Sequence, residues 1–182
     1  WCLMLSCCGT LLGAGLANPE TKVSQLPLLS GGERQQLLGD WNRTQAEYPA
    51  AKCLHQLFEM QAERTPERVA VRCGEQAFAY QQLNARANQL AHYLRGQGVG
   101  PDKLVGLCLE RSAETMVAVL AILKAGGAYV PLNPDNPPAR LRQQMEGTVM
   151  VLTESKLAGQ IPEWAGRKLV LDADPKPWLQ EA

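Results

Sequence analysis

Leu123-Lys-Ala-Gly-Gly-Ala-Tyr-Val-Pro-Leu-Asn-Pro134 is the stretch on which the reading of this chain turns. Apolar spacing of helical period runs up to Lys124, two glycines interrupt it, and a short apolar run follows before the prolines. Glycine just beyond a helix takes left-handed backbone without a Cβ penalty, so Gly126-Gly127 reads as a helix stop. The helix in front opens at Ser112, a residue suited to the N-cap, with Glu114 favoured at the positive end of the dipole. Behind the stop, Ala128 to Leu132 reads as an inner strand of a parallel sheet, beside Leu104 to Leu109. Pro131 removes one ladder donor and is therefore expected at that strand's end. Two glycines at the carbonyl end of a helix face the wrong pole of the dipole to cradle a phosphate.

Working outward from this turn, the same alternation recurs. Leu104-Val-Gly-Leu-Cys-Leu109 is a continuous apolar run of the buried-strand kind. After the turn, Pro138 to Met145 reads as a short helix, and Val149 to Thr153 and Lys168 to Leu171 as strands. Before it, Leu54, Leu57, Phe58 and Gln61 mark an amphipathic helix ending near Arg64, ahead of Thr65-Pro66. Val69 to Cys73 and Ala77 to Tyr80 flank Gly74-Glu75-Gln76 as a hairpin. Leu83, Ala87, Leu90, Ala91 and Leu94 form the stripe of a longer helix stopped by Gly96 and Gly98. Gly96-Gln-Gly-Val-Gly-Pro101 has a helix before it and a strand after it, the reverse of a dinucleotide fingerprint, and is a C-cap and turn. Residues 18–50 are rich in Pro, Gly and polar groups and read as a linker carrying one short helix. Strands alternating with helices predict an α/β fold, a largely parallel sheet with flanking helices. No internal repeat or low-complexity tract is present.

The chain has 182 residues, 46% hydrophobic and 20% charged, which suits one globular domain with an attached linker. Eighteen basic and eighteen acidic residues cancel, which excludes a partner held by bulk electrostatics, such as nucleic acid or an anionic membrane. His55 and His92 fall in separate helical patterns and suggest no metal site. Of the six cysteines, Cys2, Cys7, Cys8, Cys53, Cys73 and Cys108, three sit inside apolar periodic segments as small hydrophobes, and no CxxC occurs. A reduced, cytoplasmic protein is the expectation. The opening WCLMLSCCGTLLGAGLA is like the apolar core of a signal peptide, yet it carries no basic segment. It is also too short and too glycine-broken to span a membrane.

Leu29-Ser-Gly-Gly-Glu-Arg-Gln-Gln36 resembles the LSGGQ signature of ATP-binding cassette proteins. That signature only completes a site whose phosphate loop, G-x-x-x-x-G-K-[ST], lies elsewhere, and no Gly-Lys-Ser or Gly-Lys-Thr occurs in these residues. Ser30 at an N-cap with Glu33 three residues on is a capping box, which accounts for the same residues through helix geometry.

Taken whole, Leu123 to Pro134 closely resembles the second core motif of adenylation domains in nonribosomal peptide synthetases, usually LKAGGAYVPLDP. Phe78-Ala-Tyr-Gln-Gln-Leu-Asn-Ala-Arg-Ala-Asn-Gln-Leu-Ala91 resembles their first core motif. Val105-Gly-Leu-Cys-Leu-Glu-Arg-Ser112 is similar to the strand between the two. Leu26 to Leu29, Glu33 to Leu38 and Trp41-Asn42 resemble the linker that joins a condensation domain to the next adenylation domain. Thr10-Leu-Leu12 and Asn18-Pro-Glu20 resemble the last helix of that condensation domain. Asn133 stands where the family has Asp, Asn136 where it has an aromatic residue, and Met145 to Met150 is a shorter connection than usual.

The resemblance implies the end of a condensation domain over 1–20, an interdomain linker over 21–47, and the N-terminal portion of an adenylation domain over 48–182. It implies an acyl-adenylate-forming parent that joins an amino acid to AMP from ATP and magnesium, then loads it on a carrier protein's phosphopantetheine thiol. The expected partners are the rest of that domain and the condensation and carrier domains of the same synthetase. The family's Ser/Thr/Gly-rich loop, ribose-binding Asp and lid Lys have no counterpart before Ala182. No catalytic, cofactor-binding or metal residue is therefore assigned, and these residues alone are expected to be inactive. Two other readings stay open at this point: a stand-alone, non-catalytic α/β interaction module, and part of an acyl-CoA synthetase.

Overall fold

The computed structural model describes residues 2–174 and 176–180. Trp1 of the opening run, and Pro175, Glu181 and Ala182 of the 48–182 stretch, lie outside the described residues. The chain divides into two compact units, Trp1–Pro49 and Ala50–Ala182.

In the first unit, α1 (Cys2–Ala17) and α2 (Gly31–Leu38) are separated by a turn of 3₁₀ helix at Val23–Gln25. No helix among the described residues is long and apolar enough to cross a membrane. The capping box at the head of α2 forms as expected. The Glu33 amide donates to Ser30 Oγ at 3.2 Å, and the Ser30 amide donates to Glu33 Oε2 at 2.8 Å. Ser6 of α1 adds a hydroxyl hydrogen bond to Glu33 Oε1 at 2.7 Å. These bonds, Ser6 foremost, hold the Glu33 carboxyl below its ordinary range.

The second unit begins with α3 (Leu54–Arg64), followed by the antiparallel hairpin of β1 (Val69–Cys73) and β2 (Gln76–Ala79). Its turn is closed by Gly74 at φ +56°, a conformation a Cβ would disfavour. Tyr80, expected in the second strand, instead opens α4 (Tyr80–Gly96), because the Gln82 side chain accepts from the Ala79 amide at 3.1 Å and starts the helix there. Then come β3 (Leu104–Cys108), α5 (Ala113–Ala125), β4 (Ala128–Pro131), α6 (Pro138–Met145), β5 (Thr148–Thr153) and β6 (Arg167–Val170).

The four later strands form one parallel sheet in the order β4-β3-β5-β6. Side chains alternate across it. Val105, Leu107, Met150, Leu152 and Leu169 join α4, α5 and the buried Trp178 in one core. Cys108, Val151 and Leu132 join Leu141 and Met145 of α6, with Leu157 and Ile161, in a second core on the other face. Gly106 lies where the strands crowd most: a Cβ there would stand 2.7 Å from Val151 and 2.9 Å from Leu132.

The order corrects the expectation for Ala128 to Leu132. Among the described residues β4 is an edge strand, and Ala128, Tyr129 and Pro131 are exposed. The reason is the proline, which has no amide to offer a further strand and so is accommodated at an edge. Its place at the strand's end is as expected. Of the cysteines, Cys108 packs as a small hydrophobe as expected, and the others described do not. Cys8, Cys53 and Cys73 are exposed, Cys7 is half-buried and Cys108 is buried.

Candidate functional site

In open parallel sheets a ligand crevice forms beyond the carboxyl ends of the strands, where the order reverses. Here the chain runs from β3 outward to β4, then returns to the opposite side of β3 for β5 and β6, so the reversal lies between β3 and β5. Beyond that point sit Glu110, Glu154 and Lys156, with Lys156 Nζ at 2.6 Å from Glu110 and 3.3 Å from Glu154. The bond to Glu110 leads in raising the Lys156 ammonium above its ordinary value. Next to it the Ser155 amide and hydroxyl donate to Asp172 Oδ1 at 2.7 and 3.0 Å. Burial acts upward on that carboxyl, but these bonds together with Lys176 hold it low. Behind them burial pushes the Cys108 thiol up. A cleft of about 730 Å³ opens beside the ends of β3 and β4, lined among others by Arg111, Thr115, Asn133 and Asp135.

The Gly126-Gly127 turn offers no phosphate cradle. The amides of Gly126 and Gly127 are spent on Leu123 and Ile122 carbonyls at 3.1 and 3.0 Å, and the Gly126 φ of +90° makes it a left-handed cap. A Cβ on Gly127 would meet Val99 at 2.8 Å, so the glycine is required by packing rather than by an approaching phosphate. Among the described residues no three His, Cys, Asp or Glu side chains converge as metal ligands.

The most organised polar cluster lies at the other end of α5, and sequence reasoning missed it. Lys124, 4% exposed in its side chain, donates to Glu59 of α3 and to Asn84 and Asn88 of α4, each asparagine Oδ1 at 2.8 Å. Arg95 of α4 donates to the Lys124 carbonyl, capping the last turn of α5. Three helices are thus tied at one ammonium. The signal in sequence was the Asn84–Asn88 pair, four apart and so on one helical face. A basic residue ending an apolar helix reads instead as a solvated terminus. His55 and His92, read as unrelated, line one cavity beside this cluster.

Glu114, expected only as a partner of the dipole, also binds Arg86 Nη1 at 2.5 Å. The Arg86 guanidinium in turn lies 4.5 Å from the centre of the Phe78 ring, joining β2, α4 and α5.

The AMP-binding enzyme family matches residues 58–182. The chain is 45% identical over 166 residues to gramicidin S synthase 2 of Brevibacillus brevis, a match covering 90% of this chain and 4% of that protein. It is 47% identical over 149 residues to tyrocidine synthase 2 of Brevibacillus parabrevis, across 81% of this chain and 4% of the other. It superposes on the AMPPNP-bound form of the nonribosomal peptide synthetase FmoA3 with a TM-score of 0.72 and 31% identity. That superposition takes in 94% of this chain and 19% of the other. The N-terminal subdomain of Klebsiella oxytoca NpsA shares the fold, with a TM-score of 0.60 at 24% identity over 65% of this chain and 31% of that one. The chain therefore spans only 4% of the length of either synthase it matches.

Proposed function

The chain belongs to the AMP-binding enzyme family, and from that premise we propose that it forms the N-terminal part of an amino-acid adenylation domain in a cytoplasmic nonribosomal peptide synthetase. In this reading residues 48–182 supply the first parallel sheet of that domain, 21–47 the linker before it, and 1–20 the last helix of a condensation domain. The division of the structure between Pro49 and Ala50 supports such a boundary. The observation that carries the reading is the 45% identity to a peptide synthase over 90% of the chain, well beyond the matched domain into the preceding linker. That linker weighs against an acyl-CoA synthetase.

The parent's reaction would bring a carboxylate oxygen of the amino acid onto the α-phosphorus of ATP, release pyrophosphate, and pass the aminoacyl group to a carrier's phosphopantetheine thiol. The transition state gathers charge on phosphate oxygens and needs amides and cations aimed at them. In these residues the amides of Gly126 and Gly127 are already bonded within their own helix cap, so their contribution is to the sheet and its helices. The purified chain should show no amino-acid-dependent ATP–pyrophosphate exchange. A chimera should: residues 48–182 replace the corresponding segment of an adenylation domain of gramicidin S synthase 2, and exchange is retained. Exchange by the chain alone would overturn the assignment of inactivity. A folded chimera without exchange would overturn the proposed place in the domain.

A further inference from the structure

The cavity between α3, α4 and the end of α5 holds about 300 Å³, at the lower end of the range for ligand cavities. Its lining includes the two histidines of the chain, His55 and His92, with Arg95, Lys124, Glu59 and Gln56. Glu59 and Lys124 neutralise each other, and the two asparagine oxygens complete the lysine's hydrogen bonds. The charge left over is that of Arg95. Its guanidinium is already oriented by the bond to the Lys124 carbonyl, which takes one of its five N–H groups. An oriented guanidinium loses little freedom on binding, and its planar fork matches an oxyanion. The imidazoles approach the same space from two different helices and Gln56 adds an amide donor, in a chain whose formal net charge is zero.

We propose that this cavity binds a free phosphate-class oxyanion, held by Arg95 and His92 of α4 and by His55 and Gln56 of α3. Occupancy there joins α3 to α4 next to the lysine tie.

The chain's two histidines make the test direct, since the purified protein has two imidazole C2–H resonances, assigned with His55→Gln and His92→Gln. Sodium phosphate is titrated at constant ionic strength and pH, with chloride as the balancing anion. Both resonances should move on one saturation curve with a midpoint on the order of a few millimolar. Arg95→Gln should raise that midpoint by about tenfold or more, as loss of a charge-assisted pair requires. His92 is exposed, so His92→Gln keeps the fold, and it should weaken the response of His55. Pyrophosphate should saturate the same resonances. Shifts that grow linearly with phosphate, that chloride reproduces, or that survive both substitutions would overturn the proposal. A response to ATP with none to phosphate would overturn it as well.

Discussion

Removing the charge of Glu59 should cost more stability than removing the charge of Lys124, although the lysine is the more buried partner. The two side chains are 40% and 4% exposed. Breaking a fully buried ion pair by deleting one member costs about 3–5 kcal/mol, because the other charge is left uncompensated. Glu59→Gln leaves the Lys124 ammonium buried among neutral amide oxygens, with no carboxylate to offset its charge. Discounting for the exposure of Glu59 brings the expected loss to about 2 kcal/mol. Lys124→Met leaves no buried charge: Glu59 turns to water, Asn88 is already exposed, and methionine fills the volume, so about 1 kcal/mol is expected. In the double variant the ammonium is gone, so Glu59→Gln costs nothing further and the cycle shows a coupling of about 2 kcal/mol. Urea unfolding of the four proteins reads this out, and the midpoint of Glu59→Gln should fall by roughly 1 M. Amide exchange along α3 should accelerate in parallel. A Glu59→Gln variant milder than Lys124→Met, or a double variant whose losses simply add, would refute the account of the cluster.

Other outcomes follow from the sheet and from the first unit. Gly106→Ala places a Cβ 2.7 Å from Val151 in a strand with partners on both sides, and should cost about 1–3 kcal/mol by urea unfolding. Ser30→Ala should destabilise the head of α2 by about 1 kcal/mol, read as faster exchange of the Glu33 amide. Glu33 itself is held below its ordinary value, so its contribution is present above the unfolded glutamate range and is lost as pH falls through the lowered folded value. Protection of the first turn of α2 should therefore decline in acid below the ordinary glutamate range, and a Glu33→Gln variant should lack that decline. Protection that is insensitive to pH in the parent chain would count against the cap.

The elements were legible because each rests on neighbours a few residues apart. Ser112 caps α5, with its Oγ 3.3 Å from the Thr115 amide, and Gly126 ends it, both as the local pattern implied. Strand order rests on contacts between segments that periodicity does not relate. Thus β4, read as inner because its run is apolar, lies at an edge among the described residues, and Pro131 was the residue that pointed there. The polar network was less legible still. Lys124 ends a helix in which Val117, Ala118, Leu120, Ala121 and Ile122 are all buried, and a charge at such an end ordinarily reaches solvent. It is buried here because α3 and α4 bring one carboxylate and two amide oxygens across it, from residues as far as 40 and 65 positions away. The same closure collects His55 and His92 from helices whose patterns are unconnected in sequence.

The motif from Leu123 to Pro134 therefore does three separate mechanical jobs within one short stretch, and this explains why its glycines resemble a phosphate loop without being one. Lys124 fastens α5 to two other helices, so the end of the helix is fixed in space. Gly126, held at φ +90°, and Gly127, where a Cβ would stand 2.8 Å from Val99, then turn the chain, which aims β4 along β3. Pro131 ends the strand, the Leu132 amide makes one more bond to the Leu107 carbonyl at 2.9 Å, and the chain then leaves toward Pro134 and α6 on the other face of the sheet. A phosphate loop needs unspent amides at a helix N-terminus. This turn is a helix C-terminus whose amides are already bonded, and it serves to set β4 beside β3.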